Sequence, residues 1–125
     1  MSRLLILMLV VVTSMLAGCL GAPPVYTDPA EVISVSAGHD FVVALDANPT
    51  TGYNWQESYD ETALKLVEKT FELGESAKEG LIGAGGIEKF RFKAIGKGAT
   101  EITLVYKRLW EKEITEQTVF KVDIK

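Results

Sequence analysis

One cysteine and one histidine, Cys19 and His39, are all this chain offers to chemistries that depend on those residues. A single thiol forms no intrachain disulfide and builds no thiolate metal site, so folding must rest on an apolar core, which a chain of this size can build. The cysteine has no histidine near it in sequence, so no thiol nucleophile is paired with a base. Positive charge is also scarce: 13 Lys and Arg stand against 17 Asp and Glu, a net charge of −4. That balance lacks the basic face that phosphate backbones require, and nucleic acid is excluded as a partner on that ground. The carboxylates are scattered over polar positions with no pairing that suggests acid–base work. No set of residues meets the geometric requirements of a reaction, so neither an enzyme nor a cofactor or metal is expected.

Long hydrophobic runs are absent except at the start. Arg3 precedes an unbroken apolar stretch from Leu4 to Val12, followed by Thr13-Ser14-Met15 and then Leu16-Ala17-Gly18-Cys19. A basic start, an apolar centre and small residues at the end are the parts of a signal peptide. Leu-Ala-Gly-Cys further resembles the lipobox of prokaryotic lipoproteins, which implies lipidation of Cys19 as the new first residue. An uncleaved helix is the competing reading, because no charge occurs between Leu4 and Tyr26 and such a stretch can span ~30 Å of bilayer. Both readings place the rest of the chain in the cell envelope, outside the cytoplasm and tethered to a membrane. Stable anchoring takes more than one acyl chain. Loss of residues 1–18 removes only Arg3 among the charged residues and leaves 12 basic against 17 acidic, a net charge near −5. The expected division is a signal peptide over 1–18, a lipidated Cys19 and Pro/Gly spacer over 19–30, and a folded domain over 31–125. Pro23, Pro24 and Pro29 favour an extended spacer in that middle segment.

From Glu31 onward the dominant hydrophobic period is two. Phe90, Phe92 and Ala94 alternate with Lys89, Arg91 and Lys93; Ile102 and Leu104, and later Phe120, Val122 and Ile124, repeat the pattern. Such alternation predicts strands with one face on a core and one in water. The run from Ala63 to Phe71 also suits a helix, but Val67, Thr70 and its strand-like neighbours favour a strand. The spacing predicts about seven strands near 31–36, 40–46, 53–58, 64–72, 88–95, 99–107 and 115–124, with tight hairpins at Ala37-Gly38-His39 and Gly96-Lys97-Gly98. Short strands punctuated by Gly, Pro and Asn indicate an all-β fold, an immunoglobulin-like antiparallel β-sandwich. Trp55, early in the third of these strands, is expected to pack in the core.

Successive connections in such a sandwich alternate between its two ends. The second, fourth and sixth connections therefore share one end. They carry Asn48-Pro49-Thr50-Thr51-Gly52, then Gly83-Ala84-Gly85-Gly86, then Arg108-Leu109-Trp110. His39 falls at the opposite end. Each motif has a plain structural reading as well. Asn-Pro-Thr-Thr-Gly is good turn chemistry, the glycine run can be a flexible loop, and Trp110 can be a core residue. As a phosphate cradle the glycine run is poor, since it precedes a strand and not a helix. The charges of Arg108, Glu111 and Lys112 around Trp110 suit an exposed tip better, and Trp with Arg is the pairing that dominates interface hot spots.

These three segments, with Tyr53 closing the first, resemble the binding loops of chagasin-type inhibitors of papain-like cysteine proteases: N-P-T-T-G followed by Tyr or Phe, then G-x-G-G, then R-P-W. Order, spacing and flanking strands agree from about Val32 onward. Leu109 stands where the family has proline. The resemblance implies a reversible, non-covalent plug of the protease cleft made by Asn48, Pro49, Thr50, Thr51, Gly52, Tyr53, Gly83, Ala84, Gly85, Gly86, Arg108, Leu109 and Trp110. It also implies that Thr50 lies nearest the catalytic thiolate, that the glycine loop runs along the non-prime wall in close backbone approach, and that Trp110 stacks on the prime-side wall. The expected partners are a papain-like cysteine protease and, through Cys19, the membrane; the expected state is a monomer. The alternative is a non-inhibitory immunoglobulin-like surface module that binds another envelope or extracellular ligand.

Overall fold

The computed structural model describes residues 22–48, 52–73 and 85–125, and all of its regular structure is strand. Eight strands follow in order: β1 (Val25–Tyr26), β2 (Ile33–Val35), β3 (Asp40–Ala47), β4 (Tyr53–Tyr59), β5 (Leu64–Leu73), β6 (Gly86–Ala94), β7 (Gly98–Arg108) and β8 (Glu116–Ile124). They form two four-stranded sheets, β1-β3-β6-β5 and β2-β8-β7-β4. The seven strands predicted from periodicity are β2 to β8, and the ambiguous segment before Phe71 is indeed a strand. Leu66 and Glu68 flank a shift in its register with β6, at Val67. That irregularity is what blurs the period of two there.

Alternation decides which side chains are buried. Phe90, Phe92 and Ala94 are fully enclosed, as are Phe41 and Val43 from β3 and Ile102, Leu104 and Phe120 from the other sheet. Phe41 stacks on Phe92 at 5.7 Å, and Tyr59 reaches from the opposite sheet to meet Phe92 edge-on at 5.1 Å. Trp55 is buried, and its indole N–H donates to the Asp46 carbonyl on the other sheet at 2.9 Å. A large aromatic side chain of this kind contributes about 1.5–3 kcal/mol when fully buried.

Three expectations are corrected here. The N-terminal strands lie parallel to their neighbours, β1 on β3 and β2 on β8, while the remaining pairings are antiparallel. Strand parity explains both: each pair has the same parity, and strands that reverse at every connection run the same way when their parity matches. The two tight links predicted as hairpins are crossovers instead. The segment around Gly38 passes from β2 in one sheet to β3 in the other, and that around Gly96 passes from β6 to β7. Short turns cannot reveal whether their flanking strands share a sheet. Finally, packed structure begins before residue 31. Val25 and Tyr26 pair with Val42 and Val43, and Val42 N–H donates to the Pro24 carbonyl at 2.8 Å. Prolines suit this edge position because they need no donor of their own. Extended chain and packed strand differ only in whether a partner lies alongside.

The free edges of the two sheets, β5 and β4, are bridged by one lysine. Lys69 faces inward opposite Phe90, over whose ring its ammonium sits at 5.1 Å. It donates to the Trp55 carbonyl at 2.9 Å and pairs with Glu57 at 3.3 Å and Glu88 at 3.4 Å. Burial pushes the Glu88 carboxyl above its ordinary value of 4.5, and Lys69 and the Trp55 backbone only partly offset that. A carboxyl with a raised folded-state pKa contributes stability below pH 4.5, and that contribution is lost as pH rises through the folded value. Urea unfolding of Glu88→Gln and the parent between pH 4 and 7 is therefore expected to show the parent losing stability relative to the variant with rising pH. Parallel curves would remove Glu88 as the cause.

Candidate functional site

At the end of the sandwich where β3, β5 and β7 finish, the described parts of three connections touch one another. Asn48 and Gly52 bound the first, Gly85 ends the second, and Arg108 to Thr115 forms the third. Gly85 lies so close to β3 that a Cβ there would stand 2.7 Å from the Ala47 carbonyl oxygen and 3.5 Å from Asn48 Cβ. A Cβ on Gly52 would stand 2.5 Å from the Trp110 ring, so that indole rests directly on the glycine. Gly52 also has a φ of 83°, the left-handed region that glycine enters without steric cost. One residue thus lets the chain turn into β4 and gives Trp110 a flat seat.

Trp110 is nonetheless 71% exposed and its neighbour Leu109 69%, so the tryptophan belongs to the surface and not to the core. Its position is held from the side. The Arg108 guanidinium lies 4.5 Å from the Tyr53 ring centre and 5.9 Å from that of Trp110, and its Nη1 pairs with Glu111 at 3.1 Å. Tyr53 stacks on Tyr106 at 5.3 Å, and Tyr106 packs against Trp55 at 4.8 Å. An unbroken column of rings and one guanidinium therefore runs from the core tryptophan to the exposed one. Rings and a planar cation add contact energy while few torsions are left to freeze.

The structure brings Asn48, Gly52, Tyr53, Gly85, Gly86, Arg108, Leu109 and Trp110 to this end of the fold. Pro49, Thr50, Thr51, Gly83 and Ala84 lie outside the described residues, as does Cys19. Gly85 and Gly86 have an internal role as well: β3 crowds the first, and the Glu72 carbonyl and Phe71 ring crowd the second. The close approach that a glycine permits is, at these two positions, made within the fold. Tyr106 escaped the sequence reading, although it follows Ile102 and Leu104 in the inward period and stands two residues before Arg108. Phe71 and Leu73 were also missed. They pair with Glu88 and Gly86 on the inward side of β5 but remain 38% and 53% exposed beside the second connection. His39 sits at the far end with Pro23, Pro24 and Ser36. Among the described residues no group of three or more His, Cys, Asp or Glu is placed to hold a metal.

A β-sandwich with aromatic and glycine-bearing connections gathered at one end has the build of a scaffold for gripping another protein. The sequence profile of the chagasin family of peptidase inhibitors matches residues 34–124, and the chain belongs to that family. Chagasin of Trypanosoma cruzi is 29% identical over 99 residues, covering 74% of this chain and 86% of chagasin. Amoebiasin-2 of Entamoeba histolytica is 34% identical over 70 residues, a match that spans 56% of each protein. The crystal structure of the cysteine protease inhibitor EhICP2, also from Entamoeba histolytica, superposes with a TM-score of 0.68 at 26% identity, covering 85% of this chain and all of that one.

The seat of Trp110 on Gly52 has a spectroscopic consequence. In Gly52→Ala, the two indole N–H resonances are expected to separate in behaviour: that of Trp110 shifts and that of Trp55 stays. The positive φ adds a cost of roughly 1–2 kcal/mol in denaturant stability. A Trp110 resonance that does not move would mean that the ring does not rest there in solution.

Proposed function

We propose that this protein inhibits papain-like cysteine proteases reversibly by inserting its loop-bearing end into the active-site cleft. The carrying observation is the meeting of the first and third loops, with Trp110 exposed yet seated on Gly52 and flanked by Arg108. An anchor that is both exposed and pre-positioned loses little freedom on binding. In this reading Thr50 approaches the protease thiolate with Thr51 beside it. The segment from Gly83 to Gly86 follows the non-prime wall, and Trp110 packs on the prime side with Leu109 at the rim. Such a plug blocks by occupying space and need present no peptide bond in attack geometry, so slow or absent cleavage is expected. An interface near 800 Å² per partner is of the usual size for a protease–inhibitor pair and compatible with nanomolar affinity, about −12 kcal/mol. Leu109 in the place of the family's proline leaves the third loop one fixed φ short, which the Arg108–Tyr53 and Arg108–Glu111 contacts offset.

The same reading makes the protein a monomeric lipoprotein of the cell envelope, anchored through acyl chains on Cys19. Support for a workable geometry comes from β1. Pro23 and Pro24 lie with Ser36, Gly38 and His39 at the end opposite the three loops, so a tether there leaves the gripping end facing away from the membrane. Cys19→Ser is expected to move the protein from the membrane to the soluble fraction; retention on the membrane would favour the uncleaved helix.

Inhibition is tested by titrating the protein, purified in mild detergent, into papain and a cathepsin L-type protease. Stoichiometric loss of activity is expected, with Trp110→Ala weakening binding by about 2–4 kcal/mol. A change below about 0.5 kcal/mol would remove Trp110 from the interface. Absence of inhibition at micromolar concentration by folded protein would instead make this a surface module for another ligand.

A further inference from the structure

Two separate contacts of the proposed tip converge on one side chain that belongs to none of its loops, and a third reaches the same residue's backbone. Tyr106 lies on β7 opposite Trp55, and its inward-facing ring continues the row begun by Ile102 and Leu104. The last backbone pair of β3 with β6 is Ala47 with Gly86, so Asn48 N–H lies one residue beyond that ladder. The Tyr106 hydroxyl crosses from the other sheet and accepts that N–H at 3.0 Å. At the other end of the same loop, the Tyr106 ring stacks on Tyr53 at 5.3 Å with an interplanar angle of 19°. Its carbonyl accepts Thr115 N–H at 2.9 Å, where the third loop returns to the sheet. The side chain also lines an open groove of about 500 Å³ with Ala47, Asn48, Gly85 and Gly86, beside the end of the second loop.

We propose that Tyr106 is a positioning residue for inhibition: its side chain clamps Asn48 and Tyr53, the two ends of the first loop, so that both are held in place before a protease arrives. This rests on the inhibitory reading of the tip. The physical ground is a population argument. A loop that occupies its competent shape only part of the time binds with an affinity reduced by that fraction, and the reduction falls on association when the shape must exist first. The hydroxyl is the removable part of the clamp. Tyr106→Phe deletes the bond to Asn48 while keeping the ring, its stacking and the strand.

The experiment compares the parent and Tyr106→Phe by stopped-flow association and dissociation with papain, and by amide hydrogen exchange of the free proteins. The expected result is 5- to 20-fold slower association with dissociation unchanged within twofold. Asn48 N–H should lose its protection, while the core amides of Phe90 and Phe92 keep theirs. Association within twofold of the parent overturns the proposal, and so does a loss confined to dissociation, which would make Tyr106 a contact residue. Faster exchange at Phe90 and Phe92 would overturn it too, as general loosening of the sandwich. Failure of the parent itself to inhibit papain would fell the inhibitory reading, whereas normal inhibition by both proteins fells only the role of Tyr106.

Discussion

Everything at the working end of this protein depends on two sheets staying face to face without a covalent link between them. Phe41, Phe90 and Phe92 from one sheet and Ile102, Leu104 and Phe120 from the other are sealed from water, and no disulfide is available to replace that contact. The first connection runs from β3 in one sheet to β4 in the other, so it joins the second connection, beside β3, to the third, beside β4, only while the two sheets stay packed. The sandwich is reinforced where aromatic packing thins out. At the open side Lys69 ties β5 to the Trp55 carbonyl and to Glu57, and near the tip the Trp55 indole N–H ties β4 back to Asp46. Both are polar contacts satisfied in a partly dry setting, where an unmet donor or acceptor would be costly.

Rigidity then passes outward from core to surface. The column from Trp55 through Tyr106, Tyr53 and Arg108 to Trp110 changes from fully buried to largely exposed over four contacts. Each member is planar, so each restricts its neighbour without filling space that a partner must enter. An inhibitor that does no chemistry has only shape and prior order to offer, and this column is where the order is stored. The glycines act in the same economy of space. Gly52 makes room for an indole and Gly85 for the adjacent strand, so these glycines shape the tip as much as they free its backbone.

Much of this was legible in the residues. A strict period of two named Phe90, Phe92, Ala94, Phe120, Val122 and Ile124 as core, because a pleated strand with one wet face leaves no other arrangement. Parity placed three loops together with no knowledge of contacts. What escaped was whatever depends on neighbours distant in sequence. Gly38 and Gly96 looked like hairpin turns, yet both carry the chain between sheets. Val25–Tyr26 looked like spacer, because a strand of two residues has no period to detect. Tyr106 looked like the end of a strand, since nothing in its sequence neighbourhood announces a hydroxyl bond to a residue 58 positions away.

The sequence by itself determined an all-β domain with an apolar core, and its family through three spaced motifs. Those properties follow from composition and from short-range alternation, which one dimension records in full. Tertiary structure alone decided which strands share a sheet, that the first strands dock in parallel, and that Trp110 lies on Gly52 with Arg108 beside it. It also decided that one tyrosine holds both ends of the leading loop. These are matters of which surfaces meet, set by packing between segments that lie far apart along the chain.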